Sequence, residues 1–74
     1  MSPMSRQQLE VLRRERRHKI LRTALRLFAR RGYQSTSISE LAAAAGISKG
    51  LMYNYFKSKE ELLEHTTQMV LNDL

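Results

Sequence analysis

The pattern of apolar and polar positions predicts four helical segments along the chain. From Leu9 to Arg31 the residues favour a helix throughout, and apolar side chains recur there at spacings of three and four. Gly32 follows, where a residue that ends a helix is expected. Two shorter apolar stripes cover 38–45 and 49–56, and a last one begins near residue 62. The apolar positions of the first and last stripes are Ile20, Leu21, Ala24, Leu25, Leu27 and Phe28, and Leu62, Leu63, Met69, Val70 and Leu74.

Local capping signals set the bounds of the two middle helices. Ser37 and Glu40 have the Ser-x-x-Glu spacing of a capping box, which starts a helix. Gly46 stands where that helix should end, and Ser48 is a good N-cap for a second helix over Lys49–Tyr55. Two short helices joined by a tight glycine turn form a helix-turn-helix unit.

The last segment predicts a fourth helix. Ser58 and Glu61 repeat the capping-box spacing, and no turn residue follows Asp73 before the sequence stops at Leu74. We therefore predict an all-α fold, a tri-helical helix-turn-helix bundle plus the start of a fourth, connecting helix. The expected organisation is a disordered or frayed segment over 1–8, the helix-turn-helix domain over 9–57 and the fourth helix over 58–74.

The second helix of the unit presents an unusual open face. Met52 and Phe56 lie four residues apart and can anchor it to the core. A glycine inside a helix costs about 1 kcal/mol relative to alanine, so Gly50 suggests that a large body approaches the backbone closely. A cation, an amide and two phenols surround it, and such donors reach phosphates and base edges. The alternative is an ordinary solvated helix with two partly buried tyrosines. The remaining positions of this face are Lys49, Leu51, Tyr53, Asn54 and Tyr55.

The charge is concentrated in the first half of the chain. The net charge is +6, and residues 1–32 hold ten basic side chains against two acidic ones. A segment of this kind suits a polyanion. Its densest part, the run RRERRHK over 13–19, could contact DNA as an arm or a helix extension, or be only a solvated surface.

Several classes of function are disfavoured by what the sequence lacks. There is no cysteine, and His18 and His65 stand far apart with no carboxylate cluster beside either, so neither a metal site nor a disulfide framework is expected. No phosphate-binding loop, dinucleotide motif or nucleophile motif is present, so we expect neither an enzyme nor a cofactor. The longest apolar stretch, 41–45, is too short for a signal sequence or a membrane span, and a soluble intracellular protein is expected.

The run LFARRGYQSTSISELAAAAGISKGLMYNYFKSKEELL resembles the N-terminal DNA-binding domain of TetR-family transcriptional regulators. The resemblance extends from about Ile20 to Leu63, and several fixed points keep their spacing. Two positions depart from the common form. Tyr55 stands where histidine is more usual, and Leu51 stands where a small polar residue is typical. Both departures bear on which DNA sequence is read.

The resemblance implies roles for particular residues. Helix 49–55 would lie in the major groove, with Lys49 and Asn54 at base edges, Gly50 allowing close approach and Leu51 meeting a thymine methyl group. A second group would contact phosphates, partly because a helix N-terminus favours anions. That group is Thr36, Ser37, Tyr53, Tyr55 and Lys59.

The resemblance also implies partners. The expected partner is double-stranded DNA with a palindromic operator, bound by a repressor in the bacterial cytoplasm, at the nucleoid. The full-length regulator would be a homodimer that responds to a small-molecule effector through a domain absent here, and the present chain a monomer or weak dimer. The rival hypothesis is an interaction module whose basic helix 9–31 binds an acidic membrane or a calmodulin-like partner. That hypothesis is disfavoured because the apolar stripe of the helix is needed for the core.

Overall fold

The computed structural model describes residues 3–74 and contains four α-helices within them. These are α1 (Arg6–Arg31), α2 (Ile38–Ala45), α3 (Lys49–Tyr55) and α4 (Lys59–Asn72). The all-α fold predicted from the sequence is confirmed. The longest dimension is 44 Å, a little more than the roughly 39 Å that 26 helical residues span at 1.5 Å each. Among the described residues, no helix has both the length and the apolar character needed to cross a membrane.

The start of α1 differs from the prediction of a disordered or frayed segment over 1–8. Residues 1 and 2 lie outside the described part, but helix α1 already begins at Arg6. The Ser5 hydroxyl accepts the Gln8 N–H at 3.1 Å, and the Gln8 side-chain oxygen accepts the Ser5 N–H at 2.8 Å. This is a complete capping box with glutamine in place of glutamate, which satisfies two backbone donors at the helix end.

The helix-turn-helix unit forms with the predicted bounds. Gly46 ends α2 with φ 73° and ψ 29°, a left-handed conformation that glycine adopts without strain. Its N–H donates to Ala43 O, and the Ile47 N–H donates to Ala42 O, which is the hydrogen-bond pattern of a Schellman turn. The Ser48 hydroxyl accepts the Leu51 N–H at 3.0 Å and starts α3.

The two predicted capping boxes with glutamate form only in part. The hydroxyls of Ser37 and Ser58 accept the N–H groups three residues ahead, as predicted. The carboxylates do not complete the boxes. Glu40 instead accepts the Ser37 hydroxyl and pairs with Arg31, and Glu61 accepts the Lys57 N–H. The Glu40 side chain therefore links the start of α2 to the end of α1, and the Glu61 side chain links the first turn of α4 to the residue that precedes its cap.

The core is small and lies where α1, α2, α3 and α4 meet. Thr23, Thr36 and Thr66 are buried beside it, and the side chains of Leu27, Phe28, Ile38, Ile47, Tyr55 and Met69 cover its edge. The apolar side chains buried together are Ile20, Leu21, Ala24, Leu41, Ala42, Ala45, Met52, Phe56 and Leu62.

Some predicted core positions face outwards. Leu25 on α1, and Leu63 and Val70 on α4, are each more than a third exposed, and Leu74 is almost fully exposed. These residues belong to the apolar stripes of α1 and α4, and each stripe is wider than the part of the helix surface that the other helices cover. Each long helix therefore buries only part of its apolar stripe within residues 3–74.

Candidate nucleic-acid interface

The core holds α3 by two side chains and leaves the rest of the helix open. Met52 and Phe56 have no exposed surface, as their spacing predicted. On the other side, Lys49, Tyr53 and Asn54 are exposed. The helix is therefore anchored to the core on one side and exposes a cation, a phenol and an amide on the other. We call this exposed side, with Lys49, Tyr53 and Asn54, the open front of α3.

Gly50 lies on the same open face as these donors. A Cβ atom built on it would have only the Ser48 Oγ, 4.0 Å away, as a neighbour outside the backbone of its own helix. Its φ is not in the left-handed region, so no turn requires glycine here. The empty space above the Gly50 backbone is open to whatever binds α3.

Leu51 and Tyr55 lie at the side of α3 and are half-buried. The Tyr55 ring packs against the core, and both residues line a groove toward the first half of α1. Both residues therefore lie on the side of α3 that faces α1, next to the open front.

Thr36 and Ser37 are placed differently from each other. Thr36 is 1% exposed, and its hydroxyl donates to Gly32 O at 2.8 Å. This geometry does not support the phosphate contact expected of Thr36, because its donor is used within the turn. Ser37 is exposed at the N-terminus of α2, where its hydroxyl bonds the Glu40 side chain and backbone.

Lys59 also has an internal role that the sequence did not predict. Its ammonium donates to Tyr33 O at 2.9 Å and Thr36 O at 3.1 Å, and it lies 4.3 Å from the centre of the Tyr33 ring. The Tyr33 ring in turn packs at 5.2 Å from that of Phe28, and burial, followed by the nearby Glu60 carboxylate, raises the pKa of the Tyr33 hydroxyl. Lys59 thus joins the start of α4 to the turn between α1 and α2. Two of its three ammonium N–H groups are used there, and its phosphate contact stays a prediction.

Lys59→Met should therefore destabilise the fold. The substitution keeps the aliphatic stem but removes two hydrogen bonds from a charged donor, and bonds of this kind contribute about 1.5–3 kcal/mol each to stability. For a domain of this size, each kcal/mol lost lowers the Tm by about 4–8 °C, so a thermal melt is sufficient. Lys57→Met is the matched control, since its ammonium bonds only the exposed Tyr53 carbonyl. Equal melting temperatures for the two variants would contradict the structural role.

A second cluster joins α1 to α4 and involves residues 48 positions apart. The Arg17 guanidinium donates to His65 Nδ1 at 3.1 Å and lies 5.1 Å from the centre of the Phe56 ring. The His65 ring is 5.5 Å from the Phe56 ring, and its Nε2 faces the Glu61 carboxylate at 3.8 Å. Arg17 is therefore held in place and is not a freely solvated member of the basic run.

The remaining arginines of the run lie beside α3. A groove of about 720 Å³ separates the first half of α1 from α3, and we call it the basic groove. Sequence reasoning placed the basic run and α3 in separate segments and did not bring them together. The basic groove is lined by Leu9, Leu12, Arg13, Arg14, Arg16 and Arg17 from α1, and by Leu51, Asn54 and Tyr55 from α3.

Known proteins resemble this chain over the same region. The family model described as bacterial regulatory proteins, tetR family, matches residues 20–66. The uncharacterised HTH-type transcriptional regulator YerO of Bacillus subtilis is 51% identical over 49 residues, which are 66% of this chain and 17% of that protein. No solved structure matches the chain significantly.

Two relatives with more specific names are similar over a longer stretch. The HTH-type transcriptional regulator AcrR of Shigella flexneri is 44% identical over 74% of this chain and 26% of its own length. The HTH-type transcriptional repressor KstR2 of Rhodococcus jostii is 41% identical over 80% of this chain and 29% of its own length. The chain thus spans less than a third of each of these curated relatives. Because the family model covers more than half of the chain and lies over the helix-turn-helix unit, the chain belongs to the TetR family of bacterial regulatory proteins.

Proposed function

We propose that this chain binds double-stranded DNA in a sequence-specific manner, as the DNA-reading part of a transcriptional repressor, with α3 in the major groove. The observation that carries the proposal is the open front of α3, where Lys49, Tyr53 and Asn54 surround the uncovered backbone of Gly50. A major groove about 12 Å wide admits one helix, and side-chain donors there can distinguish all four base pairs. Membership in a family of regulators and the net charge of +6 support the same function.

The proposed contacts divide between bases and phosphates. Lys49 would bond guanine acceptors, Asn54 would bond adenine by preference, and Leu51 would meet a thymine methyl group. Tyr53 and Tyr55 would donate to phosphates, and the exposed N-terminus of α2 at Ser37 would favour a further phosphate through its free N–H groups and the helix dipole. The one hydroxyl donor of Thr36 is bonded within the protein, so Thr36 has no place in this proposal, whereas Lys59 keeps one ammonium N–H for a phosphate.

The wider assembly is also a proposal. A repressor named KstR2 and regulators several times longer than this chain are among its relatives. We infer a cytoplasmic, nucleoid-associated protein whose longer form dimerises and binds a small-molecule effector outside the described residues. Two copies of α3 would then read half-sites about 34–36 Å apart on a palindromic operator.

Asn54→Ala and Tyr53→Phe should have different effects on binding. Selection from a random duplex library defines the preferred sequence of the wild-type chain. Asn54→Ala should flatten the preference at one or two base pairs, at about 1–3 kcal/mol for each lost contact. Tyr53→Phe removes the hydroxyl that is proposed to donate to a phosphate, and it should weaken binding to all duplexes alike.

The pair of variants also tests the assignment of the reading helix. Both residues are exposed, so neither change should alter the thermal melt. If the selected sequence is the same for Asn54→Ala and for wild type, Asn54 does not read bases. If wild type itself shows no preferred sequence, the proposed function is wrong.

The structure disfavours the rival hypothesis of a membrane-binding or peptide-binding helix for the second half of α1 and leaves it open for the first half. The second half of α1 buries Ile20, Leu21 and Ala24 in the core, so that part of the stripe is unavailable to a partner. In the first half, Leu9, Val11 and Leu12 remain exposed among arginines. Titration of the chain with duplex DNA and with anionic vesicles, over the same salt series, discriminates between the two hypotheses.

A further inference from the structure

The first half of α1 is a regular helix that stands clear of the core. From Arg6 to Lys19 no residue is buried, and burial begins at Ile20. The segment nevertheless has a defined start, because Ser5 and Gln8 cap it. The basic run is thus carried on about four turns of a capped helix, none of whose residues is buried.

Arg17 fixes the direction of these turns relative to the other helices. Its guanidinium is held between His65 on α4 and the Phe56 ring at the end of α3. Because Arg13 lies one turn before Arg17 on the same side of a helix, it is carried to the mouth of the basic groove. Arg14 lines the same groove and, like Arg13, is exposed.

The chemistry of the basic groove suits a phosphodiester strand. Arginine guanidinium groups bind phosphate oxygens with two parallel donors. Asn54 and Tyr55 supply an amide and a phenol on the opposite wall, and no carboxylate lines the groove among residues 3–74. The acidic side chain of Glu15 lies in a neighbouring groove, beside Arg16 and Lys19.

We propose that one strand of the bound duplex runs through the basic groove, with its phosphates between Arg13 and Arg14 of α1 and Tyr55 of α3. The proposal rests on the proposed function, since the groove adjoins the front of α3, and it adds α1 to the DNA interface. A helix in the major groove is flanked by a phosphate backbone on each side, and the basic groove lies along one side of α3. A duplex fits this position better than a lipid surface does, because one wall of the groove is the reading helix itself.

The test replaces two arginines in the groove and two outside it. Arg13→Gln with Arg14→Gln removes the proposed contacts. Arg22→Gln with Arg26→Gln is the matched control, since these arginines are also exposed on α1, lie outside the basic groove and make the same charge change. Glutamine is a good helix former, so both double variants should fold, which circular dichroism checks.

The readout is the affinity for the selected duplex between 50 and 200 mM salt. Each phosphate contact contributes about 0.9 to the slope of log K against log salt. In the groove variant, the loss of one or two phosphate contacts should reduce the magnitude of that slope by about 0.9 or 1.8. The affinity near 0.1 M salt should then fall by roughly 8-fold or 60-fold. Its preferred sequence should stay the same, because phosphate contacts do not specify bases. The control should keep nearly the wild-type slope.

Three results would overturn the proposal. Equal losses in the groove variant and the control would show that the arginines act only through net charge. An unchanged slope in the groove variant would show that no strand lies there. Binding of the wild-type chain to vesicles of mixed neutral and anionic phospholipid, lost in the groove variant while duplex binding persists, would assign the groove to a lipid surface. A wild-type chain that binds no duplex at 50 mM salt would instead overturn the proposed function, and this inference with it.

Discussion

Gly50→Val is expected to abolish sequence-specific duplex binding while the protein remains folded. A valine side chain at position 50 would enter open space, since the nearest side-chain atom to a Cβ there is the Ser48 Oγ at 4.0 Å. Its folded-state cost is limited to helix propensity, in which valine is no worse than glycine. In the proposed complex, however, the new methyl groups would occupy the space through which the α3 backbone approaches the base edges. Affinity for the selected duplex should fall to that for an unrelated one, with the thermal melt unchanged.

Two further variants make this expectation specific to the open front of α3. Gly50→Ala adds a single methyl group at the same place and should give an intermediate loss of affinity. Ala29→Val places the same valine side chain, two methyl groups larger than alanine, on the exposed surface of α1, outside the basic groove and the front of α3, and should bind as wild type does. A folded Gly50→Val protein with wild-type affinity would show that α3 docks in another way.

The helix-turn-helix unit could be predicted from the sequence to the residue because its bounds depend on local chemistry. Ser48 caps α3 through a hydrogen bond that spans three residues, and Gly46 ends α2 through its own left-handed conformation. Met52 and Phe56 are buried because their spacing of four places both on one side of a short helix. Each of these features is readable within a window of a few residues. The start of α1 was equally readable, as Ser5 and Gln8 have capping-box spacing, but the nearby proline and polar residues suggested a frayed end.

The roles of Lys59 and Arg17 could not be predicted in the same way. Lys59 reaches the carbonyl groups of residues 23 and 26 positions earlier in the chain, and the Arg17–His65 bond spans 48 positions. Such contacts depend on how α4 packs against α1, which periodicity does not specify. A basic residue near a proposed DNA surface has the same sequence pattern whether it binds phosphate or a backbone carbonyl. The exposure of Leu25 and Leu63 has a related cause, since a stripe shows which side of a helix is apolar and not how much of it a neighbour covers.

Phe56→Ala is expected to leave the protein largely unfolded near physiological temperature. Phe56 has no exposed surface, and its ring contacts the core, the His65 ring and the Arg17 guanidinium. Replacing a buried phenylalanine by alanine costs about 3–5 kcal/mol. Typical stabilities of roughly 0.05–0.15 kcal/mol per residue give a chain of 74 residues only about 4–11 kcal/mol in total. The loss is therefore a large part of the whole, and it also releases Arg17, which orients the first half of α1.

Urea denaturation followed by circular dichroism measures this loss. The midpoint should fall sharply for Phe56→Ala and much less for Phe56→Leu, which keeps most of the apolar volume. Leu71→Ala is the control on an apolar side chain that is 58% exposed, and it should change the midpoint little. If Phe56→Ala and Leu71→Ala proved equally stable, the junction of α1, α3 and α4 around Phe56 would not be the centre of the core. If the Phe56→Ala protein folds and its duplex affinity has the wild-type dependence on salt, the phosphate contacts of α1 are intact. Arg17 would then hold α1 beside α3 without the Phe56 ring.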